Sequence, residues 1–382
     1  MGGMPPRGAA AGGHAFALTA CSPDAPRRES MPPVASSAPT VAAMAHRQQE
    51  EYQVLTAYAA EFQPREVEFL GSAGGFSGAL FWRLLAPRGL LCLRRWPSEH
   101  PSEAQLRFIQ AVLRHADQAG FHLVPVPYPC LDGRGYVVHG KHLWDLSPWM
   151  QGKADYHESP TEPRLSAALV ALAQFHLATA SVPVDRPVGR RSPGIADRRV
   201  EVRHWMSGDL AALAHSVQPG AWPELDVRAQ RVLALVPPRL EQLLPLLDDS
   251  AGREVPLQPC LRDVWHDHIL FQGDRVTGLI DFGAMGWENV AADLARLLGS
   301  MVGNDAERWR IGLAAYQSLR PLSAAELRLV RAFDMSNSLL GGLHWIDWIY
   351  RRRRVFENRQ AVLGRLDEIL LRIEGLAAAG LP

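Results

Sequence analysis

The chain has 382 residues, no formal net charge and an apolar content of 47%. This length suits two or three domains or one two-lobed enzyme, and the charge balance gives no reason to expect nucleic acid or a membrane surface as a partner. The four cysteines form no CxxC pair, which argues against a zinc ribbon or a dense disulfide framework and fits a reducing cytoplasm.

Residues 1–46 are rich in Ala, Pro and Gly and contain few large apolar side chains. Such a segment cannot bury enough surface to offset the entropy lost on ordering. We therefore expect a disordered tail before the folded chain.

The next hundred residues predict a small, mainly antiparallel region with one long helix. A helix over about 47–62 is followed by a strand, the Gly-rich turn "GSAGGFSG", and two further strands. Ser102 begins the long helix and Gly120 ends it, and Gly140-Lys141 forms the turn of a later hairpin. The Gly-rich turn lets backbone N–H groups approach a ligand, although a plain structural turn has the same composition.

From about residue 163 the pattern becomes helical. His176 lies on the apolar side of the first of these helices, where a hydrogen-bonded core histidine is the expected role. The run "YRRRR" at 350–354 is typical of a solvated face.

The segment "LRDVWHDHILFQGDRVTGLIDFG", residues 261–283, predicts a loop, a short hairpin and a second loop. Both loops leave the same end of the hairpin. Asp263 and His268 on the first loop should therefore meet Asp281 on the second. A carboxylate at such a place can accept a proton from a reacting hydroxyl, while oxygen ligands hold Mg²⁺ against nucleotide phosphates.

With these motifs the chain resembles the aminoglycoside phosphotransferase/choline kinase superfamily over about 66–347. The resemblance implies an α+β, two-lobed protein-kinase-like fold, with a small antiparallel-sheet N-terminal lobe (47–150) that binds nucleotide and a larger, mainly helical C-terminal lobe (151–382) that carries the catalytic loop and the DFG motif. The implied activity is the ATP-dependent transfer of a phosphoryl group to a hydroxyl of a small molecule. We expect a monomer or homodimer with no nucleic acid or membrane partner.

The resemblance also implies roles for individual residues. Asp263 would be the catalytic base, with Arg262 beside it in the catalytic loop, and Asp293 would brace that loop. Asp281 and His268 would bind Mg²⁺ or Mn²⁺. The residues implied in ATP binding are Gly71, Ser72, Gly74, Gly75, Phe76 and Ser77 around the phosphates, Arg94 with Glu99 or Glu103 as its partner, and Trp149 and Met150 at the adenine.

Three departures from the family pattern bear on activity. Leu261 and Arg262 replace its His and Gly, His268 stands in place of a metal-binding Asn, and Arg94 in place of Lys. Imidazole suits metal ions that are softer than Mg²⁺. Arginine binds phosphate through two N–H groups, whereas lysine acts as a point charge. Two alternatives therefore stay open: an ATP-binding pseudokinase or scaffold, and a metal-dependent hydrolase that uses His266 and His268.

Overall fold

The computed structural model describes residues 50–72, 78–184, 190–218, 220, 222–356 and 358–378. It divides into two compact units: the first ends at Met150, and the second comprises Ala119–Phe121 and the chain from Gln151 onward. The predicted tail, residues 1–46, lies outside the described part.

The first unit is built on one antiparallel sheet of five strands. The strands lie in the order β1-β2-β3-β5-β4. Their bounds are β1 Glu66–Gly71, β2 Leu80–Ala86, β3 Gly89–Arg95, β4 Val137–His139 and β5 His142–Pro148. Gly140 turns β4 into β5 with a φ of 61°, which confirms the predicted hairpin.

One face of this sheet forms the core of the first unit. On β2, Trp82 and Leu84 are buried while Arg83 between them is exposed, the alternation that a half-buried strand requires. Trp82 packs against Trp144 of β5, with ring centroids 5.1 Å apart. Helix α1, Glu103–Gln118, begins after Ser102, whose Oγ accepts the Gln105 N–H at 3.2 Å.

The helix predicted over 47–62 is shorter than expected among the described residues. Residues 50–55 are helical, and a separate 3₁₀ turn covers Ala60–Phe62. The Gln63 side chain donates to the carbonyl oxygens of Leu55 and Tyr58 at 2.8 and 2.9 Å. It thereby satisfies two acceptors that a continued helix would have used.

The second unit is mainly helical. Its helices are α2 Glu162–Thr179, α3 Pro193–His204, α4 Leu210–Ser216, α5 Pro223–Leu235, α6 Pro237–Ala251, α7 Ala291–Val302, α8 Ala306–Gln317, α9 Ala324–Ile346 and α10 Arg359–Ala378. Within the ranges the structure describes, none of the helices has both the length and the apolar character needed to span a membrane.

Two short antiparallel ribbons complete the second unit. β6, Gln258–Cys260, pairs with β9, Gly286–Glu288. β7, Ile269–Gln272, pairs with β8, Arg275–Leu279, and Gly273 in the turn has a φ of 58°. The β7–β8 hairpin lies where the sequence predicts it, and the sheet of the first unit with the helices of the second confirms the α+β class.

Candidate active site

The β7–β8 hairpin brings two loops together at one end. His268 immediately precedes β7, and its carbonyl oxygen accepts the Ile280 N–H at 3.0 Å just after β8. The next residue, Asp281, places its Oδ2 3.7 Å from His268 Nε2. The predicted meeting of the two loops is therefore confirmed.

Asp293 holds the backbone of the first loop. It lies in the first turn of α7 with a side chain that is fully buried. Its Oδ2 accepts the Leu261 N–H at 2.8 Å, and its Oδ1 accepts the Arg262 N–H at 2.6 Å. Oδ2 also lies 3.0 Å from His176 Nε2. This geometry confirms Asp293 as the brace of the loop.

His176 has the core role expected for it. The side chain is 0% exposed, and its Nδ1 lies 2.7 Å from the Tyr316 hydroxyl while Nε2 faces Asp293. Among the described residues, His176, Cys260 and Asp293 form the single cluster with metal-ligand spacing. Burial raises the pKa of the Cys260 thiol well above its usual range. The hydrogen bonds already occupy both imidazole nitrogens, so the cluster is structural.

Arg262 adopts a left-handed backbone conformation, with a φ of 66°. This is the position where the resembled family has glycine, which enters that region without steric cost; an arginine there costs on the order of 1 kcal/mol. The charge-assisted bond from its N–H to Asp293 offsets that strain. Its guanidinium packs against Gly286 of β9, where an added Cβ would lie 3.0 Å from Nη1. A catalytic role for Arg262 stays a prediction.

Asp263 is buried at 5% exposure, and its partner is Arg296 of α7. Arg296 Nε and Nη2 both lie 3.1 Å from Asp263 Oδ1. Burial raises the pKa of Asp263 to about 7; Arg296 opposes this rise and Asp281 adds to it. A carboxyl group in this state exchanges its proton near neutral pH, as a general base must.

The two predicted metal ligands differ in how well they fit Mg²⁺. Asp281 presents a carboxylate that is 32% exposed, and hard divalent cations prefer oxygen. His268 Nε2 accepts a hydrogen bond from the Trp265 indole N–H at 2.9 Å. The neutral imidazole then carries its proton on Nδ1, so neither ring nitrogen has a lone pair for a metal while this bond persists. Asp281 fits the ion; His268 fits it only if Trp265 releases the imidazole.

Among the residues that the structure describes, neither histidine of the hydrolase alternative belongs to a group of three or more potential metal ligands. His266 Nε2 lies 3.2 Å from Asp267 Oδ1, and its ring packs edge-to-face on His157 with centroids 4.0 Å apart. His268 is bound by Trp265 instead. The two imidazoles thus have different neighbours, which removes the observation that favoured a hydrolase.

In the first unit, Arg94 of β3 lies opposite Asp145 of β5. Its guanidinium carbon is 3.6 Å from the centroid of the Trp96 ring and 5.1 Å from that of Phe81. The Trp96 indole donates to Asp145 Oδ2 at 2.9 Å, and the positive charge of Arg94 opposes the rise in the pKa of Asp145 that burial causes.

The expected carboxylate partners of Arg94 have other contacts. Glu103 Oε1 accepts hydrogen bonds from Tyr136 and Arg107, each at 2.5 Å, and Glu99 accepts one from Ser98. The carboxylate that lies opposite Arg94 and interacts with its charge is Asp145, a residue that the sequence did not single out.

The remaining predicted ATP-binding residues are only partly described. Gly71 ends β1 with a φ of 66°, and Ser72 follows it in a turn. Gly74, Gly75, Phe76 and Ser77 lie outside the described residues. The Trp149 N–H donates to the Leu90 carbonyl at 3.0 Å, next to Met150, the last residue of the first unit.

Three partners of the predicted functional residues were missed in the sequence: Arg296 and Trp265 in the second unit, and Asp145 in the first. A signal existed for Arg296, because it stands three positions after Asp293 and residues at that spacing share a helix face. Trp265 and Asp145 gave no comparable signal.

Comparison with known proteins agrees with this geometry. Residues 68–332 match the family described as the phosphotransferase enzyme family. A homoserine kinase of Methylocella silvestris is 29% identical over 177 residues, covering 42% of this chain and 55% of that protein. The chain thus spans a little over half the length of the first curated relatives it matches.

Solved structures give the fold. An aminoglycoside phosphotransferase from Alicyclobacillus acidocaldarius superposes with a TM-score of 0.59 at 19% identity, covering 86% of this chain and 93% of that one. A microcompartment-associated aminopropanol kinase gives a TM-score of 0.60 at 18% identity, with 87% and 98% covered. These similarities confirm the protein-kinase-like fold. Since the family match extends over more than half of its residues, the chain belongs to the phosphotransferase enzyme family.

Proposed function

We propose that the protein transfers the γ-phosphoryl group of ATP to a hydroxyl group of a small molecule. The observation that carries this proposal is the pair of aspartates at one end of the β7–β8 hairpin. Asp263 is buried with a pKa of about 7, and Asp281 presents a partly exposed carboxylate that a metal ion in solution can reach. The proposal depends on both carboxylates, because one would act as the base and the other would bind the metal.

In the proposed reaction Asp263 accepts the proton of the acceptor hydroxyl. The hydroxyl oxygen forms a bond to the γ-phosphorus, the bond from that phosphorus to the β–γ bridging oxygen breaks, and ADP leaves. Mg²⁺ held by Asp281 would neutralise charge on the phosphates. Most of the catalytic effect of this chain's own residues is then positioning, because the phosphoryl group needs little covalent help.

ATP contacts are assigned to the first unit. Arg94, fixed by stacking on Trp96 and by Asp145, supplies a preoriented cation for a phosphate. The turn that begins at Gly71 and Ser72 would offer backbone N–H groups, and the segment at Trp149 and Met150 would receive adenine. These roles rest on the resemblance together with the observed anchoring of Arg94.

The acceptor class that the relatives favour is a small amino alcohol. Curated relatives are named homoserine kinase, and one structural neighbour is an aminopropanol kinase. Both names denote a hydroxyl on a short chain that also carries an amine. Because the match to the homoserine kinases covers little more than half of their length, homoserine itself is one candidate within this class.

A nucleotide-consumption screen tests the proposal. Purified protein is incubated with ATP and Mg²⁺ or Mn²⁺, and ADP is measured with homoserine, simple amino alcohols, sugars and aminoglycosides. We expect ADP formation that depends on one acceptor class and is lost in Asp281→Asn. ADP formation that is independent of every acceptor, or that survives in Asp281→Asn, contradicts the proposal.

One observation favours a second function, that of an ATP-binding pseudokinase. The Trp265–His268 bond occupies the side chain that replaces the family's second metal ligand, which weakens the expected hold on the metal. ATP binding measured by calorimetry, without turnover across the whole acceptor panel, would identify this alternative.

A further inference from the structure

The catalytic carboxylate predicted at Asp263 is held by a residue from a different element. Arg296 of α7 directs both Nε and Nη2 to one oxygen, Oδ1, at 3.1 Å each. Each side chain of the pair is only 7% exposed. Two donors from a planar guanidinium hold that oxygen more firmly than a single donor could, and they leave the second carboxylate oxygen, Oδ2, without a bond from Arg296.

One turn of α7 binds three successive residues at the start of the catalytic loop. Asp293 binds the backbone N–H groups of Leu261 and Arg262, and Arg296, three residues further along the same helix, binds the Asp263 side chain. Positions three apart lie on one helix face. A single rigid element therefore sets the loop's backbone and its reactive group together.

Burying this ion pair is expensive and calls for a reason. Burial removes water from both charged groups, and this loss of solvation lowers the pKa of Arg296 and raises that of Asp263. Buried ion pairs are weak stabilisers for this reason. The charges that face Asp263 are Arg296 from α7, Arg365 from α10 and Asp281 from the loop after β8.

The neighbours of Arg296 also restrict it. The Trp265 ring, from the catalytic loop itself, lies 5.9 Å from the Arg296 guanidinium carbon and 4.8 Å from that of Arg365. The indole thus lies close to two cations while its N–H binds His268. A change at Arg296 reaches the catalytic loop by two routes, through Asp263 and through Trp265.

We propose that Arg296 is a positioning residue for phosphoryl transfer: it binds Oδ1 of Asp263 so that Oδ2 faces the acceptor hydroxyl as the proton acceptor. This role rests on the proposed function. It concerns the orientation and the charge of Asp263, and it assigns Arg296 no contact with substrate.

Two substitutions separate orientation from charge. Arg296→Lys keeps the positive charge but replaces the planar fork by a point donor, so kcat should fall about 10-fold with an unchanged pH profile. Arg296→Met removes both. Its kcat should fall about 100-fold, and the acidic limb of its pH profile should move upward by about one pH unit or more. The Kd for ATP, measured by calorimetry, should stay within about twofold in both variants.

Arg372→Met is the matched control. Arg372 is another helix-borne arginine of the second unit; it is 13% exposed and pairs with the buried Asp334 of α9. The Arg372→Met variant should lower the free energy of unfolding, as Arg296→Met does, but should leave kcat and the pH profile unchanged. An equal fall in kcat in both variants would show a general effect of lost stability and overturn the positioning role.

A double-mutant cycle tests the contact without turnover. The free energies of unfolding of Arg296→Met, Asp263→Asn and the double variant should be non-additive, because each single change leaves one buried charge unpaired. Additive effects overturn the proposal. If the wild type turns over and Arg296→Met keeps the same kcat, the positioning role is refuted and the proposed function stands. If the wild type itself shows no turnover, the proposed function is refuted.

Discussion

Replacing Asp263 by Asn should make stability less dependent on pH by a predictable amount. Burial holds the pKa of Asp263 at about 7 in the folded protein, against the ordinary value of 3.8. The folded state therefore binds this proton more tightly than the unfolded state does. Its contribution to stability is fully present below pH 3.8 and is lost as pH rises toward about 7.

The size of the effect follows from the two pKa values. Each pH unit between them corresponds to about 1.4 kcal/mol, so the wild type should lose about 4 kcal/mol over the whole interval. Between about pH 5 and about pH 8 the loss should be about 3 kcal/mol. Asn does not titrate, so the variant should lack this pH-dependent loss of stability.

Urea unfolding of both proteins across this range provides the assay. Every other group titrates in both, so the difference between their free energies of unfolding isolates Asp263. The variant also leaves Arg296 without its carboxylate, which adds an offset that does not vary with pH. The slope of the difference is therefore the quantity to test, and a difference that is flat between about pH 5 and about pH 8 refutes the raised pKa.

Two further predictions concern the loop around Asp263. In a complex of the wild type with Mn²⁺ and ATP, electron spin-echo modulation should show no imidazole nitrogen bound directly to the metal. Trp265→Phe should show such a nitrogen, and adding His268→Asn to that variant should abolish it. An imidazole signal in the wild type would contradict the assignment of the His268 proton to Nδ1. Asp293→Asn should lower the free energy of unfolding by about 3 kcal/mol, because it weakens the charge-assisted bonds to the Leu261 and Arg262 N–H groups. A change below about 0.5 kcal/mol in urea unfolding would show that Asp293 is not the brace.

The meeting of the two loops could be predicted because it depends only on local sequence. "QGDR" between two short apolar runs specifies a tight hairpin, and a hairpin returns the chain to its starting end. Asp263, His268 and Asp281 then need no long-range information to be placed together. The family pattern added the role of Asp293, and its bonds to the Leu261 and Arg262 N–H groups confirm it as the loop's brace.

Two of the missed contacts depend on tertiary packing, and the third depends on the conformation of a local turn. Arg296 stands in "ADLARLL", where an arginine on a helix normally faces solvent. Asp145 becomes the partner of Arg94 only because β5 pairs with β3, a strand order that the sequence pattern leaves open. Trp265 reaches His268 because the 3₁₀ turn at His266–His268 places side chains three apart on one side.

The central claim is that Asp263 is the base in a phosphoryl transfer from ATP. The most direct measurement is single-turnover transfer of labelled γ-phosphate to the acceptor found in the screen, by the wild type and by Asp263→Asn, with ATP saturation confirmed by calorimetry. We expect a rate about 10² to 10⁴ lower in the variant, with a Kd for ATP within about threefold of the wild-type value. Transfer by Asp263→Asn at the wild-type rate would contradict it.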